Sequence, residues 1–114
     1  MPIDEVLIHE VRDVVERLVR REFEVLEVDG RIGRLTAEEL ARAVDDYGRT
    51  LVEIPDRGWE LADSYEIEGR SAAWAIDLPL WTQEEGRSDL TLSLSVSRTE
   101  QEGVVVQIED LHVL

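Results

Sequence analysis

Three groups of side chains have types and spacings that bear on chemistry. His9 lies between Glu5 and Asp13 at i,i+4 steps, which sets one imidazole and two carboxylates along one helical stripe. A catalytic zinc needs about three fixed protein ligands and a supporting shell of hydrogen bonds. An exposed helix face supplies no such shell, so the stripe reads as a solvated polar face, and no metal or cofactor is expected. His112 stands beside Glu109 and Asp110 near the end of the chain, and Asp77 shares its outward parity. A carboxylate–imidazole pair of this kind acts as a general base only in a pocket that tunes its pKa. The inward positions of the neighbouring strands are Leu, Ile, Val and Trp, so only a bulge turns such an acid inward. Asp77, Asp110 and His112 are therefore the alternative, pocket-type site.

The third group is Trp81 with Glu84, Glu85 and Asp89. A tryptophan among acids has the character of an interface anchor, and these four residues are the candidate partner-binding surface. The competing reading is that Pro79 bulges its strand and returns Trp81 to the core. No glycine-rich phosphate loop, nucleophile elbow or Ser-His-Asp order is present. The chain has no cysteine, which excludes disulfides, thiolate metal sites and a cysteine nucleophile.

The elements that must carry these groups follow from periodicity. From Pro2 to about Arg20, Ile3, Leu7, Val11, Val14, Val15 and Leu18 share one face at 100° steps, opposite Glu5, His9, Arg12, Asp13, Glu16 and Arg17. The phase breaks at Arg20-Arg21-Glu22, and Phe23 with Leu26 begins a short second helix that stops at Asp29-Gly30. Thr36 and Glu39 form a capping box for a third helix, with Leu35 and Leu40 as its hydrophobic staple and Gly48 at its C-cap.

The period then shifts to two. Short strands are expected at Leu51–Ile54 and Ser64–Glu68, separated by the turn Pro55-Asp56-Arg57-Gly58, and a longer one at Ala72–Leu80. Pro79 cannot donate to a ladder, so that strand is an edge or is bulged there. Leu90, Leu92, Leu94 and Val96 alternate with Thr91, Ser93, Ser95 and Ser97, which is a strand with one face on a core and one toward water. After a turn at Glu100–Gly103, the last strand runs Val104–Val113. Its parity flips between Glu109 and Asp110, which predicts a bulge. The whole is one α+β domain over residues 1–114, with N-terminal helices on one face of a curved antiparallel sheet of four to five strands.

Charge narrows the partners. The 114 residues carry 27 acids against 12 bases, a formal charge of −15. Residues 1–29 hold 9 acids and 4 bases, residues 30–62 hold 7 and 5, and residues 63–114 hold 11 and 3, so the excess lies in the strand-rich part. Such a chain repels phosphates, and nucleic acid is excluded as a partner. A basic protein partner fits. No apolar run reaches the ~18 residues of a membrane span, and no leader opens the chain, so a cytoplasmic protein away from membranes is expected.

One long helix, short helices and then a curved sheet resembles the cone-shaped, cystatin-like fold of nuclear transport factor 2-like proteins. The break Arg20-Arg21-Glu22-Phe23-Glu24, the stretch Trp74-Ala75-Ile76-Asp77 and the final pair of long strands carry that likeness. The chain also resembles an uncharacterised family of short acidic bacterial proteins. The stretches that carry this are Gly33-Arg34-Leu35-Thr36-Ala37-Glu38-Glu39-Leu40, Asp77-Leu78-Pro79-Leu80-Trp81-Thr82, Glu85-Gly86-Arg87-Ser88-Asp89-Leu90-Thr91-Leu92 and Asp110-Leu111-His112-Val113-Leu114.

The expectation is a small acidic binding protein without catalysis, of the immunity type that masks a basic bacterial toxin. The alternative, implied by the cone-shaped resemblance, is a ligand-pocket protein or isomerase-like enzyme with an open hollow between the first helix and the sheet. A homodimer through the flat strip of Thr91, Ser93, Ser95 and Ser97 is a third option.

Overall fold

The computed structural model describes residues 5–66, 73–101 and 103–113. Three helices come first: α1 (Glu5–Val19), α2 (Phe23–Val28) and α3 (Ala37–Tyr47). Strands β1 (Leu51–Val52), β2 (Asp63–Glu66), β3 (Ala73–Thr82), β4 (Gly86–Thr99) and β5 (Gly103–Val113) follow, with a 3₁₀ turn at Asp56–Leu61 between β1 and β2. All strand pairings are antiparallel, in the order β1-β3-β4-β5, and β2 lies against the other end of β3. This is the expected α+β arrangement. Among the described residues no helix is long and apolar enough to cross a membrane. Ile3, residues 67–68 of the second predicted strand, and Ala72 lie outside the described residues.

Local chemistry explains the helix ends. The Thr36 hydroxyl accepts from the Glu39 N–H at 3.1 Å and the Glu39 carboxylate accepts from the Thr36 N–H at 3.1 Å, which closes the predicted capping box. Gly48 takes the left-handed conformation at φ 73° that ends α3. The end of α1 also turns through a left-handed residue, here without glycine and in a Schellman arrangement. Arg21 sits at φ 62°, its N–H donating to Leu18 O while Glu22 N–H donates to Arg17 O.

Leu7, Val11, Val14, Val15 and Leu18 of α1 are buried, and so are Leu26 and Leu40 of α2 and α3. They meet Ile76, Leu78, Leu80, Leu90, Leu92, Leu94, Val106 and Ile108 from one face of the sheet in a single apolar cluster. The side chains follow strand parity except at two register shifts. Leu94 pairs with Ile108 and Ser93 with Asp110, leaving Glu109 as the extra residue, so the predicted bulge is at Glu109. Between Pro79↔Thr91 and Trp81↔Arg87 the register slips by two, with Ser88, Asp89 and Leu90 facing Leu80 alone. The buried Ser88 hydroxyl stitches this second bulge, donating to Leu80 O at 2.7 Å and accepting from Leu90 N–H at 3.2 Å.

Thr91, expected toward water, is buried beside that bulge, while Ser93, Ser95 and Ser97 keep partial exposure. β3 runs two residues further than expected, through Trp81 and Thr82.

Candidate functional site

Register brings together residues that are far apart in the chain. Asp63 on β2 pairs with Asp77 on β3, Asp77 with Ser93 on β4, and Ser93 with Asp110 on β5. These four form one row straight across the sheet, on the face turned away from the helices. At ~4.8 Å between neighbouring strands the row is roughly 14 Å long. Among the described residues no helix lies over it. Asp63, Tyr65, Glu66 and Asp110 are exposed, and Asp77 and Ser93 are half-buried.

Hydroxyls hold the acids of this face. Ser93 donates to Asp77 Oδ1 at 2.7 Å and Tyr65 donates to Asp77 Oδ2 at 3.3 Å. Ser95 donates to Glu109 Oε1 at 2.8 Å. The negative charge of Asp77, with a lesser contribution from burial, raises the Tyr65 phenol above its ordinary 10.0, so it stays a proton donor. Arginine ion pairs tie the helical side together, among them Arg12–Asp56, Arg17–Asp13, Arg20–Glu16, Arg21–Asp45, Arg31–Glu10 and Arg42–Glu38.

His112 Nδ1 lies 3.1 Å from Asp110 Oδ2 but makes no hydrogen bond there, so the contact becomes an ion pair only when the imidazole is protonated. Asp77 stands on the far side of Ser93 from this pair. Asp77, Asp110 and His112 thus do not converge on one point; Asp110 lines an open, shallow groove beside Glu39, Arg42 and Asp46, which neither Asp77 nor His112 lines. Between α1 and β3, the side chains of Ile8, Val11, Trp59, Ala62, Ile76 and Leu78 leave a gap of only about 10 Å³, at most the size of one water. An enclosed general-base site of the kind considered from the sequence is not built on these residues. They offer negative charge and acceptor oxygens on a flat surface.

The partner surface expected around Trp81 is corrected in its central member. Trp81 is 7% exposed and belongs to the core cluster. Its six-membered ring lies against Gly58, where a Cβ would come within 2.8 Å of it. The cause is the β4 bulge, which lets Leu80 and Trp81, adjacent in sequence, both be buried.

Glu84 and Glu85 are accessible but already engaged. Glu84 accepts from Thr50 N–H at 2.8 Å and from the Thr50 hydroxyl at 2.9 Å. Glu85 accepts from Tyr47 OH at 2.8 Å and from the Thr82 hydroxyl at 3.1 Å. Together they clamp the β3–β4 turn to the connection after α3. The Thr50 N–H, then its hydroxyl, hold the Glu84 carboxyl below its ordinary 4.5. Desolvation and then the bond to Glu85 raise the Tyr47 phenol above 10.0. Asp89, on the outer bend of the bulge, is exposed.

His9 is exposed on α1, and Asp13 of its stripe is taken by Arg17 and Arg31. Among the described residues no three His, Asp or Glu side chains are grouped to hold a metal ion. Asp63 and Ser93 were not singled out from the sequence as partners of Asp77, because only the register aligns them. Trp59, a large aromatic that follows the Pro55–Gly58 turn, lies under the guanidinium of Arg12, 5.3 Å from the ring centre.

No curated protein and no solved structure matches the chain. A family model does match it over residues 14–114, nearly its whole length. The chain therefore belongs to the family described as a domain of unknown function, DUF7668.

Proposed function

We propose that this protein is a non-catalytic binding protein whose outer sheet face takes a basic protein partner, in the manner of an immunity protein that masks a basic bacterial toxin. The observation that carries the reading is the row Asp63–Asp77–Ser93–Asp110 on an uncovered sheet face. Like charges directly opposite one another on paired strands are destabilising. A cationic partner removes that repulsion on binding, which gives the complex a source of free energy that the free protein lacks. Asp89 remains an accessible acid outside the row, whereas Glu84 and Glu85 contribute charge from a turn whose shape they already maintain.

A homodimer through the same strip sets two such rows against each other, so the charge favours a partner of opposite sign over a second copy. The order of helices and sheet also suits the nuclear transport factor 2-like likeness. The filled space under α1 favours using that scaffold for its outer surface and not for a pocket.

The test is co-purification with the products of neighbouring genes, followed by calorimetry on any basic one that binds. Binding is expected to weaken with salt and to be lost in the triple variant Asp63→Asn, Asp77→Asn, Asp110→Asn. Undiminished binding by that variant, or no basic partner among the neighbours, rejects the sheet-face reading.

A further inference from the structure

Between α1 and the segment that runs from the end of β1 into the 3₁₀ turn lies an open groove of about 250 Å³. Its floor is apolar, formed by Val15 and Ile54, both buried. Trp59 forms one wall, and the carboxylates of Glu53 and Asp56 stand at the rim, both exposed. Glu16 also lines the groove, but Arg20 holds it at 2.7 Å. The chain already places a planar cation here. The Arg12 guanidinium lies 5.3 Å from the Trp59 ring centre and its Nη2 is 3.4 Å from Asp56 Oδ1.

An indole face with carboxylates at its edge is the chemistry that recognises guanidinium, by stacking and by charge together. Arg12 is held weakly in this position. Its side chain is 53% exposed and that of Asp56 fully exposed, so the ion pair is screened by water and contributes little. Glu53 has no ion pair among the described residues, which leaves one rim carboxylate for a second cation.

We propose that this groove is a binding site for a guanidinium group, and that Arg12 is its resident, exchangeable occupant. An incoming arginine side chain stacks on Trp59 in place of Arg12 and pairs with Glu53 and Asp56. The site is independent of the acidic row on the sheet.

The experiment titrates the full chain with N-acetyl-arginine-methylamide and follows the Trp59 indole N–H by NMR, assigned with Trp59→Phe. N-acetyl-lysine-methylamide is the control and an arginine-containing hexapeptide the second probe. The arginine probe is expected to shift the Trp59 resonance in a saturable way, and the lysine probe to bind several-fold more weakly. The double variant Glu53→Gln, Asp56→Asn loses at least tenfold in affinity. Arg12→Ala binds roughly three- to fivefold more tightly, because the competing stack is gone. If the peptide matches or exceeds the free arginine derivative, the source is a protein side chain; if only the derivative binds, it is a small molecule, and the guanidinium site stands in both cases. No saturable shift, equal response to lysine, or weaker binding by Arg12→Ala overturns the proposal.

Discussion

Asp63 and Asp77 face each other directly across β2 and β3, and what reaches Asp77 is two hydroxyls, from Ser93 and Tyr65. Two carboxylates in cross-strand register repel, and here the repulsion is built into the native fold. Asp63→Asn is therefore expected to stabilise the protein by about 0.2–1 kcal/mol. Urea denaturation measures this, and the gain should shrink at 1 M salt, where the screening length is about 3 Å. Asp77→Asn should gain less, since its amide nitrogen cannot accept from Tyr65 or Ser93. A loss of stability in Asp63→Asn means the two charges are not coupled.

The clamp on the β3–β4 turn titrates. Thr50 donates twice to Glu84, which lowers the folded-state pKa below 4.5. A depressed carboxyl contributes stability that is fully present above its unfolded pKa and is lost as pH falls through the folded one. The stability difference between the protein and Glu84→Gln should thus be constant above about pH 5.5 and decline steadily below 4.5. Denaturation midpoints of the two proteins between pH 3 and 7 check the slope. Parallel curves across that range contradict the clamp.

Trp81 is expected to matter for folding and not for partner contact. Trp81→Ala should cost about 3–5 kcal/mol, the range for deleting a buried large aromatic. The companion test is Gly58→Ala. Its new Cβ would stand 2.5 Å from Ile54 Cγ2 and 2.8 Å from the Trp81 ring, so overpacking should cost about 1–3 kcal/mol. If Gly58→Ala is neutral by thermal melting, the indole does not lie where the structure puts it.

Trp81 also shows where sequence reading stops. Local signals were legible wherever the deciding contacts lie within a few residues. The Thr36/Glu39 capping box, Gly48 at a left-handed C-cap and the parity break at Glu109–Asp110 are each written in a short window, and each is present. The bulge that buries Trp81 is different, because the extra residues are on β4 and the effect is on β3. Alternation within Ala72–Leu80 cannot register it. In the same way Glu84 and Glu85 look like free loop acids until Thr50 and Tyr47, 34 and 38 residues away, are folded against them. The aspartate row needs the register of four strands at once, so the sequence groups Asp77 with Asp110 but not with Asp63 or Ser93.

Arg21 gives the last prediction. It occupies the left-handed position at the end of α1, where glycine is the unstrained choice and a side chain costs about 1 kcal/mol. Its guanidinium offsets that cost by pairing with Asp45 on α3 at 2.8 Å and stacking 5.3 Å from the Phe23 ring centre. An exposed ion pair is worth about 0.2–1 kcal/mol and a cation–π contact of a solvent-accessible guanidinium about 0.5–1 kcal/mol. Arg21→Gly, which loses the contacts and the strain together, should be nearly as stable as the parent. Arg21→Ala keeps the strain and loses the contacts, and should fall about 1 kcal/mol below Arg21→Gly. Raising salt weakens the Asp45 pair, so in 1 M NaCl the parent should lose ground to Arg21→Gly while the gap between the two variants stays fixed. Urea midpoints for the three proteins at two salt concentrations separate backbone strain from side-chain tethering, and equal stability of the Ala and Gly variants means the α1 end carries no strain.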